Sequence, residues 1–189
     1  MKLILASSSA YRRELLARLD LPFEVLSPDV DETPEEGESA HDLAGRLARL
    51  KARTIAGRHP DALVIGSDQV AECRGRLLGK PLSRDRAKKQ LQFMRGGPVI
   101  FHTAVALARD SQVISEVVPT QVQLRELEDA QLDRYIEREM PLDCAGAFKS
   151  ERGGIALLER LSSDDPTALV GLPLIATIRL LERFGLQIP

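Results

Sequence analysis

Three features of the sequence predict an α/β fold with a mixed central β-sheet flanked by helices. Short apolar runs alternate with segments of helical apolar spacing along all 189 residues. Their order keeps no strict strand–helix–strand rhythm, which points to a mixed rather than a fully parallel sheet. No internal repeat or low-complexity linker divides the chain, so residues 1–189 read as a single domain, with two lobes around a cleft.

The opening reads as strand, turn and helix. Lys2 to Ala6 is a short buried strand, Ser7-Ser8-Ser9 a polar break, and Tyr11 to Leu19 a helix with Leu15, Leu16 and Leu19 in register. Phe23 to Leu26 is a second short strand. Residues 28–38 form an acidic loop with two prolines and a glycine. Ser39 then caps a helix running to about Arg58, with Leu43, Leu47, Leu50 and Ile55 on one side. Ala62 to Gly66 is the clearest buried strand, with Ser67-Asp68-Gln69 expected at its end and a hairpin turn at Arg74-Gly75 after it. A capped helix follows over Ser83 to Met94. Val99 to Ala108 and Gln112 to Leu124 read as long antiparallel strands joined near Asp110-Ser111. Glu128 to Glu139 is helical and Pro141 ends it, Ile155 to Leu161 is a strand, and Thr167 to Phe184 a closing helix.

Bulk composition excludes several classes. The net charge is −2 although 29% of residues are charged, which argues against a binder of nucleic-acid polymer and allows a small phosphorylated ligand. Cys73 and Cys144 are far apart and form no CxxC motif, so they read as reduced structural thiols. The three histidines are scattered, which disfavours a zinc site. The apolar run from Met1 to Ala6 is too short for a signal peptide or a membrane span, and the expected location is the cytoplasm.

Chemistry-bearing residues fall into four groups. Ser7 to Ser9, between a strand and a helix, present backbone N–H groups at the positive end of the helix, a natural anion site. Arg12 and Arg13 add cations there, where they oppose the helix dipole; a plain N-cap with solvated arginines uses the same residues. Asp68 follows a buried strand and a glycine, a position suited to a metal ligand, a general base or a turn cap. The loop bearing Asp29, Asp31 and Glu32 can supply a carboxylate for magnesium, or it can be simply solvated, which is the reading preferred for Glu35, Glu36 and Glu38. Lys51, Lys80 and Lys149 lie in segments where a lysine can face a triphosphate or stay on the surface. The phosphate-binding pattern GxxxxGK[ST], GxGxxG and GxSxG are all absent.

Order and spacing add what no single motif carries. The segments LILASSSAYRRELL at 3–16, VDE at 30–32, RLARLKA around Lys51, VIGSDQV at 64–70, GKPL at 79–82, CAGAFKSE at 144–151 and LVGLPL at 169–174 resemble the Maf family of nucleoside triphosphate pyrophosphatases over essentially the full length. That resemblance implies a fold like the inosine triphosphatase-like enzymes and hydrolysis between the α and β phosphates. It implies a divalent cation (magnesium, manganese or cobalt), a nucleoside triphosphate substrate and a homodimer. Mapped onto this chain, it makes Asp68 the proton acceptor, with Glu32 and Asp68 on the metal. Ser7, Ser9, Arg12, Arg13, Lys51, Lys80 and Lys149 become the triphosphate site.

Departures from the commonest family pattern speak to the base. Tyr11 precedes the two arginines, Gln69 follows Asp68 where many relatives carry threonine, and Glu151 stands where pyrimidine-type members tend to have glutamine. These differences resemble the subfamily acting on 7-methyl-GTP. The chemistry agrees, because N7-methylation makes guanine cationic. An aromatic face such as Tyr11 attracts a cation, and a carboxylate such as Glu151 accepts from the guanine N1–H and amino group. A dTTP/UTP pyrophosphatase, a broad house-cleaning enzyme and a cell-division regulator acting by protein contact are the competing expectations.

Overall fold

The computed structural model describes residues 2–188. Its seven strands form one mixed sheet in the order β2-β1-β3-β5-β6-β7, with β4 paired to β3 off that path. The strands are β1 (Lys2–Ala6), β2 (Glu24–Leu26), β3 (Ala62–Cys73), β4 (Arg76–Leu78), β5 (Pro98–Arg109), β6 (Gln112–Leu124) and β7 (Leu158–Ser163). Five helices accompany them: α1 (Ala10–Ala17), α2 (Ala40–Ala56), α3 (Arg84–Met94), α4 (Asp129–Glu139) and α5 (Leu174–Arg183). The mixed sheet flanked by helices is the class the sequence predicts. Among the described residues, no helix is long and apolar enough to cross a membrane.

The chain divides into two compact units. The first comprises residues up to Gln69, Thr103–Val118, and the chain from Asp165 on. Here β1 pairs in parallel with β2 on one side and β3 on the other, so α1 and α2 are crossover helices of two strand–helix–strand units. Alternation along the strands sorts the two faces. Leu3, Leu5, Leu63 and Ile65 join Leu15 and Leu16 of α1 and Leu180 and Leu181 of α5 in one apolar cluster. The opposite face of β3 receives α2, and Gly66 allows that approach. A Cβ at Gly66 would lie 2.6 Å from Ala52 N and closer still to Ala48 O, so only a residue without one lets the helix backbone rest on the strand.

The second unit comprises Val70–His102 and Pro119–Asp164. The end of β3 turns through Arg74-Gly75 into β4, pairing Ala71 with Leu78 and Cys73 with Arg76. Both turn residues have positive φ, 50° and 73°. Helices α3 and α4 are tied by Lys88 to Asp133 at 2.8 Å and by Gln92 and Arg95 to Asp129 at 2.9 and 3.0 Å. Strand β7 pairs antiparallel with β6.

Three boundaries differ from the sequence expectation. Strand β3 does not end at Gly66 but runs on to Cys73, so Asp68 sits inside a strand rather than past one. The polar run Ser67-Asp68-Gln69 imitates a strand end, yet each side chain finds a partner that keeps it in the sheet. The strand expected at Ile155 begins at Leu158, because Gly154 N–H bonds back to Lys149 O at 2.9 Å and curls 153–157 into a 3-10 turn. The closing helix is broken: a 3-10 turn at Ala168–Val170 ends at Gly171, whose φ is 124°, and α5 starts only at Leu174.

Gly66→Ala is expected to lower stability by about 1–3 kcal/mol through overpacking against α2. Urea unfolding should show a lower midpoint with an unchanged slope; an unchanged midpoint would mean α2 has slack at this contact.

Candidate active site

In the first unit, three connections meet at the carboxyl ends of the parallel strands. Pairing of β1 with β3 ends at Ala6 and Gly66. Just beyond lie the Ser7–Ser9 turn after β1, the acidic loop after β2, and Asp68 on β3. From β1 the chain passes through α1 to β2 on one side, and from β2 it returns through α2 to β3 on the other side of β1; open α/β sheets leave a crevice for ligands at the carboxyl ends of strands where connections reverse direction in this way.

Lys51 is the centre of this region. Its ammonium lies 2.5 Å from Asp68 Oδ1 and 2.5 Å from Glu32 Oε1. Only 7% of the Lys51 side chain and 10% of the Asp68 side chain are exposed, against 51% for Glu32. The sequence explains the meeting. Asp68 follows Gly66 by two residues and so faces α2, while Lys51 neighbours Ala48 and Ala52, the helix residues resting on Gly66. Ser39 accepts from Asp42 N at 3.1 Å and fixes where α2 begins.

The neighbouring residues of β3 face the other way. Ser67 donates to Gly171 O at 3.0 Å. The Gln69 amide nitrogen contacts Thr103 Oγ1 at 2.9 Å and the carbonyls of Ala168 and Leu169 at 3.1 Å. Since Thr103 itself donates to Ala168 O, these neighbours all act as acceptors, which fixes the amide orientation. The Gln69 nitrogen, expected in base selection, thus ties β3 to the 168–169 turn.

Arg12 donates from Nε to Gly171 O at 2.8 Å. Burial draws its guanidinium below the ordinary arginine value, while Asp68 and Glu32 act in the opposite direction, so it belongs to the same electrostatic group. Gly171 O accordingly serves both Arg12 and Ser67, a role that sequence reading did not give this glycine; the break between Thr167 and Pro173 was the available signal. Ser7 Oγ accepts from Ser9 N–H at 3.1 Å, and Ser9 Oγ caps α1 by accepting from Arg12 N–H at 3.4 Å. Both hydroxyls act as acceptors here, which leaves their O–H groups to donate to an anion. Arg13 is exposed and Tyr11 half-buried in the first turn of α1.

The second unit holds the remaining candidates. Lys80 is exposed in the segment after β4, and that segment is laced to the loop carrying Lys149: Gly146 N–H donates to Gly79 O at 3.3 Å, and Leu82 N–H to Leu142 O at 3.1 Å. Lys149 is 8% exposed. Its ammonium donates to Glu139 O and Met140 O at the C-terminal end of α4, at 3.2 and 3.3 Å, and lies 3.3 Å from Asp143. Cations are favourable at that end of a helix. Its backbone N–H donates to Tyr135 Oη at 2.9 Å. Burial pushes the Glu151 carboxyl above its ordinary value, while Lys149 and Arg152 act against that rise. Burial, then Asp143, pushes the Cys144 thiol up to about 12, which suits an inert thiol.

The donor chemistry suits a hard divalent cation. Glu32 and Asp68 each place a carboxylate oxygen against the same Lys51 ammonium and so lie close together, and magnesium takes one or two protein carboxylates with phosphate oxygens and water completing its shell. Among the described residues there is no cluster of three or more His, Cys, Asp and Glu side chains that would make a cage from protein alone. Lys51→Met should cost about 3–5 kcal/mol by leaving Asp68 buried without its cation, read as a lower urea midpoint. A midpoint within error of wild type would show that Asp68 does not depend on Lys51.

Comparison with known proteins gives the context. Residues 2–184 match the family described as "Maf-like protein". The chain is 61% identical to a 7-methyl-GTP pyrophosphatase of Aromatoleum aromaticum, covering 100% of this chain and 98% of that protein. It is 53% identical to a protein of the same name from Xanthomonas axonopodis pv. citri, covering 100% and 99%. Among solved structures, the Ham1 protein of Staphylococcus aureus superimposes with a TM-score of 0.49 at 16% identity, covering 67% of this chain and 73% of that one. With a full-length family match and relatives above half identity, the chain belongs to the Maf family.

Proposed function

We propose that this protein is a divalent-metal-dependent nucleotide pyrophosphatase that hydrolyses 7-methyl-GTP between its α and β phosphates, and that the whole chain forms one such domain. The observation that carries the reading is the convergence of Asp68 and Glu32 on Lys51, with the Arg12 guanidinium anchored on Gly171 O within electrostatic reach of both carboxylates. The relatives' shared name, 7-methyl-GTP pyrophosphatase, supports the choice of substrate.

Phosphoryl chemistry asks little covalent work of a protein and much positioning and charge. Asp68 is the group to orient the attacking water and accept its proton. Arg12 and Lys51, with the hydroxyls of Ser7 and Ser9 and the N–H groups at the start of α1, provide cations and donors for phosphate oxygens. Arg13, Lys80 and Lys149 complete the proposed cationic set, and for Lys149 this requires exchanging its α4 carbonyl partners for phosphate. A divalent cation held by Glu32 and Asp68 would neutralise phosphate charge and polarise the reacting phosphorus. At the base, Tyr11 offers an aromatic face to the cationic ring, and Glu151 accepts from the N1–H and amino edge. Gln69 supports this arrangement by holding the 168–169 turn.

Pyrophosphate release should be measured with magnesium across 7-methyl-GTP, GTP, dTTP, UTP, CTP and ITP. Asp68→Asn is expected to lower turnover by roughly 100- to 10,000-fold on every nucleotide. Glu151→Gln should reduce the preference for 7-methyl-GTP over dTTP by about 10-fold or more while leaving turnover of the poorer nucleotides. A wild-type preference for dTTP or UTP that Glu151→Gln does not alter would discard the substrate assignment and keep the reaction.

The raised Glu151 carboxyl also makes a stability prediction. Its folded-state value lies above the ordinary 4.5, so ionisation is harder in the folded chain than in the unfolded one. Stability therefore falls as pH rises through that window, and the cost stays in place above it. Glu151→Gln removes the ionisation, so thermal melting should be equal to or higher than wild type near about pH 7.5, with the difference vanishing near about pH 4. A variant that melts lower at both pH values would show that the carboxylate stabilises the fold.

A further inference from the structure

The acidic loop before α2 is folded by one arginine. Arg46 lies on α2, five residues before Lys51, with 26% of its side chain exposed. Its guanidinium donates to both oxygens of Glu38, from Nε at 2.6 Å and from Nη2 at 2.8 Å, and Nη2 also donates to Thr33 O at 3.0 Å. Glu35 is a weaker second carboxylate at 3.5 Å. Glu38, read from sequence as a solvated acid, is only 9% exposed in its side chain. Its carboxylate also accepts from Glu35 N at 3.1 Å, and its own N–H donates to Glu35 O at 3.1 Å, closing a turn in which Gly37 has φ 75°. Upstream, Asp31 Oδ1 accepts from both the N–H and the hydroxyl of Thr33, at 2.9 and 2.6 Å.

Glu32 thus stands between two fixed residues. Asp31 is folded onto Thr33 on one side, and Thr33 is held by its carbonyl to Arg46 on the other. A half-exposed glutamate in an otherwise exposed loop would ordinarily sample many positions, and holding it against Lys51 needs its backbone fixed. We propose that Arg46 is a positioning residue of the active site: through Glu38 and Thr33 it locks the acidic loop so that Glu32 is presented beside Asp68 for the divalent cation. The inference rests on the metal-binding role proposed for Glu32. A bidentate guanidinium fork does this where a lysine cannot, because two oxygens of Glu38 and one carbonyl must be engaged from a single planar group. Arg46 shares one helix with Lys51, so the residue that fixes the loop and the residue that meets Glu32 move together.

The test compares wild type, Arg46→Ala, Arg46→Lys, Glu32→Ala and the Arg46→Ala/Glu32→Ala double variant. Pyrophosphate release is titrated against magnesium, and manganese binding without nucleotide is measured by electron paramagnetic resonance. Arg46→Ala is expected to raise the half-saturating magnesium concentration and weaken manganese binding by roughly 10-fold, with turnover at saturating metal little changed. Arg46→Lys should restore less than half of the loss on a logarithmic scale. The double variant should be no worse than Glu32→Ala, since two residues acting through one group are not additive. Amide exchange over residues 30–36 should accelerate in Arg46→Ala while the core strands keep their protection. Equal loss of turnover at every metal concentration, or an Arg46 effect undiminished in the Glu32→Ala background, overturns the positioning role alone. Glu32→Ala with wild-type metal dependence and manganese affinity overturns the assignment of Glu32, and the role of Arg46 with it.

Discussion

A buried ammonium held between two carboxylates is the interaction around which this chain is arranged. Removing Lys51 and Asp68 from water carries a large desolvation cost, and the pair is tolerable only because each charge finds the other at 2.5 Å. Meeting that condition constrains distant parts of the sequence. Helix α2 must lie directly on β3, which requires the missing Cβ of Gly66. Its register must place Lys51 over Asp68, which depends on where Ser39 starts the helix. The loop before it must then fold back far enough to bring a second carboxylate to the same ammonium.

A second arrangement sits on the other face of the same strand. Ser67 and Gln69 point away from α2 and hold the segment between Ala168 and Gly171, and Gly171 in turn holds Arg12. Buried polar side chains survive in a sheet when every donor and acceptor is met, and a fully met network also fixes geometry. The reaching cation of α1 and the Ser67 hydroxyl, next to Asp68 on β3, therefore meet at one backbone carbonyl, whose glycine adopts a φ of 124° that a side chain would oppose.

Charge balance gives this arrangement its chemical sense. Arg12 and Lys51 face Glu32 and Asp68, so the group is close to neutral before any ligand arrives. A triphosphate bound as proposed would bring several negative charges to that group, and a hard cation that takes oxygen ligands would relieve the conflict. In the second unit the same logic appears in smaller form: Lys149 is matched by Asp143 and by the carbonyl end of α4, while Glu151 remains a carboxyl that burial makes harder to ionise.

Read alone, the sequence was enough for the class of fold, the helices and most of the strands, because those follow from apolar spacing and from caps such as Ser39 and Ser83, which act within a few residues. Ordered motifs also pointed to the proposed site residues and, through Tyr11 and Glu151, to a proposed reading of the base. It missed the continuation of β3 through Ser67, Asp68 and Gln69, because a polar run looks like a strand end until its partners from α2, β5 and the 168–171 turn are known. It ran the closing helix through Gly171 and Pro173 although both residues signal a break, and the use of the Gly171 carbonyl by Arg12 and Ser67 was not legible at all. It also read Glu38 as solvated, where a guanidinium eight residues on takes both its oxygens. The partners of Asp68, Gln69, Glu38 and the Gly171 carbonyl emerge only in the folded chain, because a hydrogen bond or ion pair between separate elements leaves no apolar period in either segment.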